Sequence, residues 1–189
     1  MRTVSKKLKL ILVLMVMILA VMPAQAAVSV PACVKTKATQ LMNQSGMDVA
    51  FVVKIGNDRK GTGYMFYRNA KGKVVCDRKG TVILGKTTPY KKSYTYRFYR
   101  NFNFEYNNKV MKWKVGRTQY EQDWPINVEC DQVAEYGFLV HGYVRYKAPG
   151  KAWTTCKGAS RNTDGLAMCK EFARYLRSCA DDGCPVAFM

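Results

Sequence analysis

The chain has 189 residues, with 31 Lys or Arg against 13 Asp or Glu and a net charge of +18. That length supports one domain with a sizeable core and excludes two comfortable ones. So strong a positive balance points to an anionic partner.

Residues 1–26 read as a secretory signal: Arg2, Lys6, Lys7 and Lys9 make a basic start, Leu10 to Val21 an apolar core, and Ala24-Gln25-Ala26 a small-residue cleavage site. The apolar core falls short of the roughly 20 residues that span a bilayer, so no transmembrane segment is expected in the mature chain. No Cys stands at the cleavage point, and no lipid anchor is expected. Four of the 31 basic residues and none of the 13 acidic ones lie in this signal, so the mature chain keeps 27 against 13, or +14. For an exported protein the expected partner is a cell-wall polymer, a lipid head group or an acidic peptide, rather than nucleic acid. A basic surface kept for solubility is the plainer alternative. All seven cysteines, at 33, 76, 130, 156, 169, 179 and 184, lie in the mature chain. An odd count leaves at least one thiol free or paired between molecules, and the sequence leaves open whether the others bridge or stay reduced.

Residues 27–47 are expected to hold a helix, with Pro31 in its first turn, Val34, Ala38, Leu41 and Met42 at helical spacing, and Gly46 as its stop. From Asp48 the period changes to strands: Val49 to Ile55, a Gly56-Asn57-Asp58 turn, Thr62 to Arg68, an Ala70-Lys71-Gly72 turn, and Lys73 to Cys76. Residues 93 to 107 place Tyr94, Tyr96, Phe98, Phe102, Phe104 and Tyr106 on one parity. That is the pattern of a core-facing strand. Rings beside basic residues also suit a platform for single-stranded nucleic acid, but core packing is the reading adopted. An Asn107-Asn108 turn leads to a second strand, Lys109 to Val115, where Met111, Trp113 and Val115 alternate with lysines. Between Lys86 and Arg117 nine Lys or Arg face only Glu105, which concentrates +8 of the charge in this hairpin region. Such a surface suits anionic wall polymer or the carboxylates of peptides.

Gln119 to Pro125 reads as a loop and Ile126 to Cys130 as a short strand. Tyr136 to Tyr146 alternates, with Tyr136, Phe138, Val140, Val144 and Tyr146 opposite Leu139, His141, Tyr143 and Arg145. This puts His141, the only histidine, inside or at the end of a strand, with Gly142 leaving room for close backbone approach. A lone strand histidine is commonly structural. After an Ala148-Pro149-Gly150 turn, Trp153 to Cys156 is short and extended, and Lys157 to Asn162 is loop. Asp164 is expected to cap a helix with Leu166, Cys169, Phe172, Ala173 and Leu176 as its apolar stripe.

A thiol and an imidazole are the two groups that cysteine nucleophilic catalysis needs, because the imidazole takes the proton and leaves a thiolate. Here fourteen residues separate His141 from Cys156, and Lys157-Gly158-Ala159-Ser160-Arg161 follows. This stretch resembles the signature of the L,D-transpeptidase catalytic domain, a His followed after fourteen to seventeen residues by Ser/Thr-His-Gly-Cys-Val/Ile-Arg. Gly158 and Arg161 fall on the family's Gly and Arg. Three positions depart: Cys156 stands at the Ser/Thr, Lys157 at the second His, and Ala159 at the nucleophilic Cys. Gly85-Lys86-Thr87-Thr88-Pro89 resembles the family's Gly-x-x-Thr-Pro segment, without the Gly that usually follows, and Gly183 to Phe188 its closing Gly-x-Pro-Val strand.

The resemblance, which runs from about Asp48 to Met189, implies a mainly β fold with flanking helices, a β-sandwich of antiparallel and mixed strands. It implies a cell-envelope protein that acts on or binds peptidoglycan stem peptides, by transferring an acyl group through a cysteine if it is active. His141 matches the base, Gly158 lies in the loop that would supply oxyanion donors, and Arg161 matches the residue that holds that loop or meets a carboxylate. With Ala159 at the nucleophile position, either Cys156, with Lys157 beside it to favour the thiolate, serves instead or the enzyme is inactive. The other class of function is a basic binding module without chemistry, directed at anionic envelope polymer. No cofactor and no metal site are expected, since one His and no Cys-x-x-Cys pair leave too few clustered ligands. A monomer is expected.

Overall fold

The computed structural model describes residues 28–99, 110–157, 164–179 and 183–189. The secretory signal, the far half of the aromatic strand and the residues Gly158, Ala159 and Arg161 lie outside these described residues.

A helix, α1 (Ala32–Ser45), follows Pro31 and ends at Gly46, whose left-handed conformation lets its N–H bond the Met42 carbonyl. Its buried face is Val34, Ala38, Leu41 and Met42, as the spacing predicts. Three strands follow in two hairpins: β1 (Val49–Ile55), β2 (Lys60–Arg68) and β3 (Val74–Leu84). The apolar run Val49 to Val53 of β1 has a simple cause, because both faces of the strand are covered there. Ala50 and Val52 pack under α1, whereas Phe51, Val53 and Ile55 point into the main core. The third strand runs well beyond the expected Cys76. Asp77 to Gly80 hide it, since they are polar or small: Asp77 is the extra residue of a bulge, and Arg78, Lys79 and Gly80 resume the ladder with Met65, Tyr64 and Gly63. Gly80 is small for a reason: a Cβ there would stand 2.5 Å from the Phe172 ring.

The remaining elements are β4 (Thr95–Tyr99), β5 (Val110–Val115), β6 (Thr118–Asp123), β7 (Ile126–Cys130), a 3-10 turn at Ala134–Tyr136, β8 (Phe138–Gly142), β9 (Arg145–Lys147), β10 (Thr154–Thr155), β11 (Leu166–Met168), α2 (Lys170–Cys179) and β12 (Pro185–Phe188). Among the described residues the fold is mainly β with two helices. Eight strands close in the order β1-β12-β4-β7-β8-β11-β3-β2, and β10-β9-β6-β5 form a separate four-stranded sheet. Tyr96 and Phe98 on β4 are buried, which bears out the core reading for the described part of the aromatic strand; Phe102, Phe104 and Tyr106 lie outside it. Rings from β1, β4, β8 and β12 meet inside, with Tyr96 edge-on to Phe188 at 5.2 Å and Phe51 5.4 Å from Phe98. The second helix adds Phe172, Ala173 and Leu176 to the same core. Among the described residues no helix is long and apolar enough to cross a membrane.

Three expectations need correction. Gln119 to Pro125 is not a loop: residues up to Asp123 are β6, paired on one side with β5 and on the other with β9. Its polar composition misleads, because Glu121, Gln122 and Asp123 are buried by their neighbours. Asp164 does not begin a helix. Leu166–Met168 is a strand inserted between β3 and β8, and the helix starts only at Lys170. Leu, Ala and Met favour helices on propensity, and the slot between two strands overrides it. Finally, Tyr136 to Tyr146 is two strands, since β8 stays in the closed sheet whereas β9 belongs to the small one.

Candidate functional site

His141 lies on β8 directly beside Ala167 of β11, the pairing being parallel. Only 2% of its surface is exposed. Burial is the main influence on its imidazole and pushes the pKa down, while hydrogen bonds to the Gly142 and Asp164 carbonyls act the other way. Burial wins, so the ring is neutral and carries one N–H. Nδ1 lies 2.6 Å from the Gly142 oxygen and Nε2 3.3 Å from the Asp164 oxygen. Both partners are acceptors, so a neutral ring bonds only one of them. The shorter contact assigns the proton to Nδ1 and leaves Nε2 a bare base.

This has a consequence for stability. His141 is the only histidine, and unfolding frees it to take a proton near its ordinary pKa of about 6.5. Because the folded-state pKa is lowered, its stabilising effect is complete above about pH 6.5 and is lost as pH falls toward the folded value. Urea denaturation between pH 7.5 and 5.5 is expected to show stability falling below 6.5 with a slope of up to about 1.4 kcal/mol per pH unit. The slope should flatten in His141→Gln.

Asp164 and Gly165 cover the ring. Gly165 has φ +73, and a Cβ on it would come 2.7 Å from His141 Nε2 and 2.5 Å from the Leu139 oxygen. The Asp164 side chain caps the turn instead of a helix, its Oδ1 accepting from the Gly165 N–H at 2.7 Å and from Thr88 Oγ1 at 3.2 Å. Gly85 lies against the Asp164 backbone, where a Cβ would stand 2.5 Å away. Arg59 in turn donates to the carbonyls of Leu84, Gly85 and Thr88. The Gly85 to Pro89 segment is thus the brace behind the cover on His141. Arg59 and the bracing contacts of Thr88 and Asp164 are not legible in the sequence, since these partners are separated by 29 and 76 positions and leave no local signal.

Cys156 follows β10 and is held by its N–H, which donates to the Val144 oxygen at 2.7 Å. It is 8% exposed. His141 and Cys156 line one cavity of about 440 Å³. Met111, Trp113, Tyr120 and Gln122 of the small sheet line it as well, with Leu139, Val144, Asp164 and Gly165. Trp113 and Tyr120 stack across the β5–β6 pair with centroids 5.4 Å apart. Lys157 is exposed.

Burial first, then the Asp77 carboxylate, pushes the Cys76 thiol up to about 11, and burial raises that of Cys179. Cys33, Cys76, Cys130, Cys169 and Cys179 are thiols and not bridge halves. Among the described residues no group of three or more His, Cys, Asp or Glu is gathered to hold a metal.

No protein-family model matches the chain, and no curated protein matches it. Among solved structures it is similar to a fused Zn-dependent amidase/peptidase/peptidoglycan-binding domain-containing protein from Clostridium acetobutylicum, at 12% identity and a TM-score of 0.48, over 83% of this chain and 60% of that one. It is also similar to an L,D-transpeptidase from Mycobacterium smegmatis, at 14% identity and a TM-score of 0.38, over 75% of this chain and 58% of that one. A third is the catalytic domain from the E. faecium L,D-transpeptidase acylated by ertapenem, at 15% identity and a TM-score of 0.41, over 76% of this chain and 98% of that one. The chain therefore spans less than two thirds of the first two. Two of these three are L,D-transpeptidases.

Proposed function

We propose that the protein works at the cell envelope on peptidoglycan stem peptides, by acyl transfer with Cys156 as nucleophile and His141 as base. One observation carries this reading: the only histidine and a cysteine fifteen positions away line the same cavity. Residues 1–26 then serve as the export signal, 27–47 as the N-terminal helical segment and 48–189 as the acting domain.

In the reaction, the Sγ–H proton of Cys156 passes to Nε2 of His141, and the thiolate attacks the carbonyl carbon joining the third and fourth residues of a stem. The tetrahedral adduct collapses, its C–N bond breaks, and the released D-alanine amine takes the proton back from Nε2. A thioester remains. An amine of a neighbouring stem then attacks the thioester, loses a proton to Nε2, and expels the Cys156 sulfur, which recovers that proton. The apolar walls of the cavity favour the neutral starting pair and strengthen every hydrogen bond made to the transient oxyanion. Gly158 and Arg161 retain the roles the resemblance implies, donation to the oxyanion and support of the loop. Lys157 favours the thiolate from outside.

The test is incubation of the mature protein with a carbapenem, whose strained lactam presents the same kind of carbonyl. Intact-mass and peptide-mapping spectra are expected to show one equivalent added without loss of atoms, on Cys156. An unmodified Cys156, or label confined to the exposed Cys33 and Cys169, would sink the acyl-transfer reading and leave binding without chemistry.

A further inference from the structure

The small sheet has a second face, turned away from the His141 cavity. Met111, Trp113, Tyr120 and Gln122 face the cavity, so Lys112, Lys114 and Gln119 must project the other way. They line a second cleft of about 300 Å³ together with Trp153, and Trp113 and Tyr120, which also border the His141 cavity, complete its lining. Lys147 belongs to the same face, because Lys114 pairs with Gln119 on β6 and Gln119 pairs with Lys147 on β9. The two acidic residues of β6 on this parity, Glu121 and Asp123, are both buried and ion-paired, with Arg145 and Lys170. Lys112, Lys114 and Lys147 are exposed, and among the described residues none of them has an ion-pair partner. Trp153 keeps 39% of its surface exposed although a core position would hide it, and the Arg145 guanidinium lies 5.8 Å from its ring centroid. A fixed Trp beside three unpaired ammonium groups is therefore displayed on a rigid sheet.

The spacing decides what such a face suits. Lys112 and Lys114 are two residues apart on one strand, about 7 Å along the sheet, and Lys114 and Lys147 are two strands apart, about 10 Å across it. Charges spread in this way do not converge on a single anion. They match a polymer that repeats its negative groups, while an exposed indole gives a flat apolar surface on which a sugar ring rests. We infer that this outer face binds an acidic polysaccharide, with a sugar ring on Trp153 and the acidic substituents on Lys112, Lys114 and Lys147. The inference rests on the reading that the chain is exported, where such polymers are met, and does not depend on the acyl-transfer reading.

The experiment measures binding of the mature protein to polygalacturonate, with neutral dextran, polyphosphate and oligothymidylate as comparisons. Polygalacturonate is expected to bind and dextran not to bind. Lys112→Gln with Lys114→Gln should raise the Kd for polygalacturonate about tenfold, as expected for two lost charge contacts with the polymer. Lys35→Gln with Lys54→Gln, which removes equal charge from exposed positions elsewhere, should change it less than twofold. Trp153→Ala should weaken polygalacturonate but leave polyphosphate, which has no sugar rings, unchanged. Carbapenem labelling of Cys156 should be the same in all these variants, so failure here and failure of the acyl-transfer reading are distinguishable. Equal losses from the two lysine pairs, no effect of Trp153→Ala, or tighter binding of oligothymidylate than of polygalacturonate would each overturn the inference.

Discussion

His141→Gln is expected to slow acylation of Cys156 by two to four orders of magnitude, the usual worth of a positioned general base. Glutamine keeps a side-chain group able to donate toward the Gly142 oxygen, so the strand end is preserved while the basic lone pair is lost. Cys156→Ala should abolish the adduct altogether, whereas Cys156→Ser keeps the shape and loses the acidity that makes a thiolate accessible. The pH dependence separates a base from a bystander. Because burial holds the imidazole pKa below its ordinary value, Nε2 stays unprotonated as pH falls through about 6.5, and the acylation rate should hold there before it declines. A rate that drops with a midpoint at the ordinary histidine value would mean that the ring is solvated in the working enzyme. A His141→Gln variant that acylates at the wild-type rate would remove His141 from the mechanism.

What the sequence disclosed, and what it hid, follows from the range of the interactions. The bounds of β1 and β7 match the segments expected from the sequence residue for residue, and α1 is legible from Pro31, Gly46 and four apolar positions, because each of these signals is local. The placement of His141 on a strand was legible for the same reason. The strand at the heart of the small sheet, β6, was not. Thr118–Asp123 has no apolar alternation, and it becomes a strand only because β5 and β9 flank it and Arg145 neutralises Glu121. Likewise Leu166–Met168 reads as helix in isolation and is drawn into the slot between β3 and β8. These two misread segments build the site: the first supplies Tyr120 and Gln122 to the cavity wall, and the second is preceded by the Asp164-Gly165 cover. The resemblance drew attention to His141 and Cys156, the two residues proposed to act, and the rest of the cavity lining came from pairings distant in sequence.

Gly165→Ala tests whether that cover is as tight as it looks, and Gly46→Ala provides its reference. Both glycines have nearly the same left-handed backbone, φ +73 and φ +71. A Cβ at Gly46 meets nothing within 4 Å, so its replacement isolates the backbone cost, about 1 kcal/mol for an L-residue in this region. At Gly165 the same methyl would lie 2.5 Å from the Leu139 oxygen, a strand atom that cannot swing aside, and 2.7 Å from His141 Nε2. Relief requires the cover to lift or the ring to turn, and overpacking of this kind adds about 1–3 kcal/mol. Urea denaturation should therefore show Gly165→Ala losing about 2–4 kcal/mol, against about 1 for Gly46→Ala. The consequence for chemistry is separable from stability. If the ring turns, its Nδ1–H bond to Gly142 is lost, and the single imidazole resonance set of the protein should shift in Gly165→Ala and stay fixed in Gly46→Ala. Acylation of Cys156 should fall with that shift even well below the denaturation midpoint. Equal stability losses in the two variants, with an unmoved imidazole signal, would show that the cover yields freely and that the Asp164-Gly165 turn does not hold His141 in place.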